Sequence, residues 1–150
     1  MVKPLHTGEA EARGEGAAAP VAFFTGTYDE ALALLDDARA YMADREGFAA
    51  STPDAQLRMM AVRETTRVVA RITQIMAWLT VQRAVHAGEM TRAEALEPRH
   101  RLGGQDVCLP EGTGDGLAAD TRLWRLLERS RDLYVRVMRL DARAGRHPEP

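Results

Sequence analysis

The stretch TPDAQLRMMAVRETTRVVARITQIMAWLTVQRAVHAG, residues 52–88, decides the fold class. Thr52 supplies a capping hydroxyl and Pro53 suits the first helical position, so a helix is expected to start here. No further Gly or Pro interrupts the chain until Gly88, which predicts a helix of about 50 Å at about 1.5 Å per residue. Leu57, Ala61, Val62, Val68, Val69, Ile72, Ile75, Met76 and Leu79 recur at helical spacing and define its core arc. The opposite arc changes along its length. It is charged early, at Arg63, Glu64, Arg67 and Arg71, and apolar late, at Trp78, Val81 and Val85.

Two more long helices flank this one. Thr27 and Glu30 have capping-box spacing, and Phe24, Tyr28, Ala31, Leu35, Ala38 and Met42 form an apolar seam after them. Asp29, Glu30, Asp36, Asp37 and Asp44 make the other side acidic, and Gly47 is the expected terminator. The last helix is expected from Leu117 to Ala144, stopped by Gly145, with Leu123, Leu126, Leu127, Leu133, Tyr134, Val137 and Leu140 facing the core. In between, Thr91 and Glu94 predict a short capped helix towards Pro98. A glycine-rich connection through Gly103, Gly104, Pro110, Gly112, Gly114 and Gly116 follows. Loops of that length are usually functional or disordered. Residues 1–22 lack periodicity and read as a disordered tail, and residues 146–150 as a C-terminal tail. Three apolar stripes bury one another most simply in an all-α, antiparallel three-helix bundle spanning residues 23–145.

Composition narrows the function. A net charge of −2 and a pI near 6.1 argue against a dedicated nucleic-acid binder. Lys3 is the sole lysine, which leaves no Schiff-base or P-loop candidate in the folded region. Cys108 is the sole cysteine, so no intramolecular disulfide can form, and with no apolar run of membrane-spanning length a cytoplasmic location is expected.

His6, His86, His100 and His147 show no metal-ligand spacing and read as surface histidines. Cys108 is expected to tuck under the loop as a small hydrophobe. No catalytic residue, metal or cofactor is predicted, and an enzyme ranks last.

What the sequence does offer is surface. Glu64, Arg67, Arg71, Gln74 and Trp78 follow at helical spacing on one face of the middle helix, with Val81 and Val85 beside them. This face is expected to be a protein-binding surface, covered either by a second subunit or by the chain's own loop after Gly88. On that reading, exchanging Arg67 and Arg71 for Ala leaves folding nearly intact. Trp124, Val135 and Met138 project from the core arc of the last helix as a second interface. Two such patches predict a homodimer. Arg122, Arg125, Arg129, Arg136, Arg139 and Arg143 form a basic stripe, read first as pairing with the acidic side of the first helix and only secondarily as a phosphate or partner surface.

These same residues carry a family resemblance. FFTGTYDEALALLDDARAY at residues 23–41, ETTRVVARITQIMAWLTVQRAVHAGEMT at residues 64–91 and LYVRVMRLD at residues 133–141 resemble the alphaproteobacterial RcdA proteins, regulators of CtrA degradation. The middle segment is the most specific, because amphipathicity does not dictate its Arg, Gln, Trp, His and Gly-Glu positions. The resemblance implies a dimeric three-helix bundle that acts as a non-enzymatic adaptor. Such a protein helps deliver cell-cycle regulators to the ClpXP protease. Its implied partners are a ClpX-type unfoldase or priming factor on one side and protein substrates or further adaptors on the other, with no membrane. The competing expectation is a dimeric helical scaffold of another pathway, and a nucleic-acid-binding regulator comes last.

Overall fold

The computed structural model describes residues 18–51, 53–111 and 120–146. Among them every regular element is helical: α1 (Ala18–Ser51), α2 (Ala55–His86), α3 (Arg92–Ala95), a 3-10 turn (Pro98–His100), α4 (Gln105–Cys108) and α5 (Thr121–Ala144). Among the described residues five α-helices therefore stand where three long helices and one short capped one were expected. Each of the three long ones packs against the other two. Residues 1–17, Thr52, Gly112, Gly114, Gly116 and Leu117, on which parts of the expected tail, caps and glycine-rich connection fall, lie outside the described residues, as do residues 147–150.

Helix α1 departs most from expectation. It starts at Ala18, so the stretch up to residue 22 is partly helical, and Thr27 is a buried interior residue rather than a cap. It also passes through Gly47, because one helical glycine costs only about 1 kcal/mol and cannot end a helix alone. Its buried line is Thr27, Ala31, Leu34, Ala38 and Tyr41, leaving Tyr28 and Leu35 half-buried and Met42 exposed. The rotation has a polar cause. Tyr41 can enter the core because its hydroxyl donates to Asp120 Oδ2 at 2.7 Å, giving the buried ring's polar tip a partner.

Helix α2 is 32 residues long, about 48 Å. Its cap is Asp54, whose Oδ1 accepts from the backbone N–H groups of Gln56 and Leu57 at 2.9 and 3.3 Å. Ala61, Val68, Ile72, Ile75 and Leu79 are buried as expected, whereas Val62 is exposed. The capping box at Thr91 and Glu94 forms, but the helix it starts is one turn long and ends before Pro98.

Helix α5 is capped by Asp120, whose Oδ1 accepts from Leu123 N at 3.1 Å, and ends at the expected Gly145. Leu123, Leu126, Leu127, Leu133, Tyr134 and Val137 are buried, and Leu140 is half-buried.

The expected pairing of basic and acidic faces is present between α5 and α1. Arg122 meets Asp44 at 2.7 Å, Arg129 meets Asp37 at 2.6 Å, and Arg136 meets Glu30. The arginines advance two turns at a time while the carboxylates retreat two turns, so α1 and α5 run antiparallel. No described helix is long and apolar enough to cross a membrane.

Candidate functional site

The face of α2 expected to point outward points inward. Arg71, Glu64 and Trp78 are 0, 1 and 3% exposed, and Arg67, Gln74, Val81 and Val85 are half-buried. Parts of the chain's own segment from Arg92 to Glu111 pack against this face of α2. Of the two covers the sequence allowed, the internal one is observed. An uncovered surface at Glu64, Arg71 and Trp78 is thereby corrected.

The cover is held by arginine. Arg71 donates from Nε to Cys108 O at 2.8 Å, from one terminal nitrogen to Leu127 O at 2.9 Å and Ser130 Oγ at 3.0 Å, and from the other to Pro110 O at 2.9 Å. One planar guanidinium thus ties α2 to the end of α4 and to the middle of α5. A lysine ammonium could not span those acceptors. Arg67 continues the clasp, donating to Val107 O at 3.1 Å and to Glu64 Oε2 at 2.6 Å. Arg131 reaches across from α5 to Leu109 O at 3.0 Å. Among the described residues, Glu64 Oε1 is a buried oxygen without a hydrogen bond, and Arg63 Nε lies 3.5 Å from it.

A second cluster anchors the earlier part of the cover. Trp78 Nε1 donates to Asp141 Oδ1 at 2.8 Å, and Arg101 donates to the same oxygen at 2.8 Å and to Asp141 O at 2.9 Å. Gly103 is gripped from both sides. Its N–H donates to Gln74 Oε1 at 3.2 Å, and its carbonyl accepts from the Tyr134 hydroxyl at 2.7 Å. Gly104 then takes φ +75°, a left-handed conformation that favours glycine, and starts α4.

Burial shows in the ionisation of these groups. Desolvation, with Arg67 adding to it, lowers the Arg71 guanidinium to about 10, so it is still charged at neutral pH. Burial raises the Tyr134 phenol to about 12 and pushes the Cys108 thiol up. Cys108 is fully buried, the expected small hydrophobe beneath the connection. No group of three His, Cys, Asp or Glu among the described residues is placed to hold a metal ion.

The second predicted interface divides. Trp124 is 39% exposed, whereas Val135 is half-buried and Met138 packs against the core. The structure therefore does not gather the three into one exposed patch.

Sequence reading missed Ser130 and Asp141 as the partners of Arg71 and Trp78, and Tyr134 and Arg101 as the side chains that hold the connecting segment to α5. A signal existed for two of them. Ser130 and Asp141 lie on the core line of α5 that runs through Leu123, Leu127, Tyr134 and Val137. Polar residues on an apolar arc require polar partners.

These features define an all-helical protein whose central helix is clasped by its own connecting segment through buried arginine and tryptophan. The chain belongs to the family described as "Protein of unknown function (DUF1465)", which matches it over residues 17–150. No curated protein and no solved structure matches it.

Proposed function

We propose that the protein is a three-helix bundle that works as a dimeric, non-enzymatic adaptor in regulated proteolysis, helping to present protein substrates to a ClpXP-type protease in the cytoplasm. The reading rests on the resemblance of residues 23–41, 64–91 and 133–141 to RcdA proteins. One structural observation supports it most. Beside its buried line, α1 carries a second apolar line, with Tyr28 and Leu35 half-buried and Leu32 and Met42 exposed. A helix that buries one line against its own core and offers another to solvent is suited to holding a second protein or a second copy.

The clasped α2 face takes a different role in this proposal. It gives the adaptor its rigidity, and partner contacts fall to the outer sides of α1 and α2. Three of the six arginines of the α5 stripe are paired with α1 carboxylates, which weighs against a phosphate-binding role.

Reconstituted degradation tests the proposal. Adding the purified protein to primed ClpXP should accelerate loss of a bound substrate several-fold. A pull-down from the native cytoplasm should recover the unfoldase. Recovery of a different partner set, with no effect on degradation, would favour the scaffold alternative.

A further inference from the structure

Most of the side chains on α2 that amphipathicity does not dictate are used by the clasp, but the last ones are not. Gln82, Arg83 and His86, with Ala87, line one wall of an open groove of about 530 Å³, and Phe24, Thr25 and Tyr28 of α1 line the other. The floor is aromatic and fixed. Phe24 sits edge-on to the buried Trp78, with ring centres 5.9 Å apart, and the Arg83 guanidinium lies 5.3 Å from the centre of the Tyr28 ring. Arg83 and His86 are solvent-exposed, and among the described residues no carboxylate lines the groove and none pairs with Arg83.

We infer that this groove binds a short acidic segment of a partner protein, one that carries an aromatic or large aliphatic side chain next to Asp or Glu. The apolar side chain packs on Phe24 and Tyr28. The carboxylate meets the planar fork of Arg83, already oriented by the Tyr28 ring, with His86 and Gln82 as further donors. Charge decides the class of occupant: a groove lined among the described residues by the Arg83 cation and by no carboxylate selects an acidic partner and disfavours a basic one.

An internal acidic residue fits better than a chain terminus. Free C-terminal carboxylates are captured by backbone N–H nests. Here the N–H groups of Ala87, Gly88 and Glu89 are spent on the carbonyls of Arg83, Val85 and Ala84. As a substrate-facing or adaptor-facing site the groove rests on the adaptor reading, whereas binding itself is a property of the chain alone.

The test is fluorescence anisotropy with the full chain and a labelled short peptide carrying one Phe flanked by Asp residues. The peptide should bind, and its counterpart with Lys in place of Asp should not. Arg83→Glu should weaken binding at least about tenfold, as loss of an anchoring arginine does at interfaces. Arg125→Glu on α5, an equal change of charge at an exposed position, should leave binding unchanged. Tyr28→Ala should also weaken binding while the helical circular dichroism is kept.

Equal binding of the Lys peptide, or equal losses in Arg83→Glu and Arg125→Glu, would overturn the inference. A gain of at least about tenfold when Glu9, Glu11 and Glu15 are all changed to Lys would overturn it too. That result would assign the groove to the chain's own N-terminal segment. Dissociation of a dimer by Arg83→Glu would likewise overturn it in favour of a second copy. Peptide binding without any effect of the protein on degradation would leave the groove standing and sink the adaptor reading alone.

Discussion

The indole N–H of Trp78 and the guanidinium of Arg101 converge on one oxygen, Asp141 Oδ1, each at 2.8 Å. Three separate parts of the chain meet at that atom: the second half of α2, the segment after the 3-10 turn, and the last turns of α5. Removing the carboxylate leaves a buried indole donor without its acceptor and a half-buried cation with only the Asp141 main-chain carbonyl. Asp141→Ala should therefore destabilise the protein by about 2–4 kcal/mol in urea unfolding. Asp141→Asn keeps one acceptor oxygen and should lose less. A double-mutant cycle with Trp78→Phe should give a coupling of about 1 kcal/mol or more. Full additivity would show that the two side chains act independently.

The Arg71 clasp makes a sharper case. Seen as an exposed arginine, its replacement would be harmless; buried with four acceptors around it, it is not. Arg71→Met should cost about 3 kcal/mol or more, because three carbonyls and a hydroxyl lose their donor. Arg71→Lys should recover only part of that. Hydrogen exchange should rise first in α4 and the residues after it, whose carbonyls the guanidinium holds. Arg67→Ala should have a smaller effect, since Arg67 contributes fewer bonds and is only half-buried.

The three ion pairs between α5 and α1 should matter much less. Their side chains are 45–68% exposed, so solvent screens them and their contribution to stability is expected to be small. Changing Arg122, Arg129 and Arg136 together to Ala should lower stability only slightly at low salt, far less than the loss of Arg71 or Asp141. The deficit should shrink in about 0.5 M NaCl, where the screening length falls to a few Å. A loss that salt does not alter would mean the arginine stems act by packing.

Tyr134 governs an alkaline limit. Its folded value, raised to about 12 by burial, lies above the ordinary value of 10.0 it has in an unfolded chain. The folded state thus prefers the protonated phenol. That contribution is complete below pH 10 and is lost as pH rises towards 12. Wild-type stability should fall across this window, and Tyr134→Phe should show a shallower fall, measured by urea melts at stepped pH. Ultraviolet titration should show one phenol ionising late in the wild type and absent from the variant.

Much of this architecture was legible in the residues themselves. The absence of Gly and Pro between Pro53 and Gly88, the leucine arc of α5 and the capping box at Thr91 each specify local helix, because helix formation depends on neighbours a few residues apart. The match between acidic α1 and basic α5 could also be read, since both faces have helical spacing. What a one-dimensional pattern leaves open is the direction in which an ambiguous face turns. Met42 and Tyr41 are both credible core residues, and Asp120, 79 residues away, decides between them by accepting the tyrosine hydroxyl. Glu64, Arg71 and Trp78 suit either a partner surface or an internal clasp. The choice fell to Ser130, Asp141 and the carbonyls of Cys108 and Pro110, which accept from Arg71 and Trp78. The sequence determined which segments are helices and which arcs are apolar. Only the tertiary structure decided which polar side chains are buried, because burying a donor requires an acceptor that the fold brings from far along the chain.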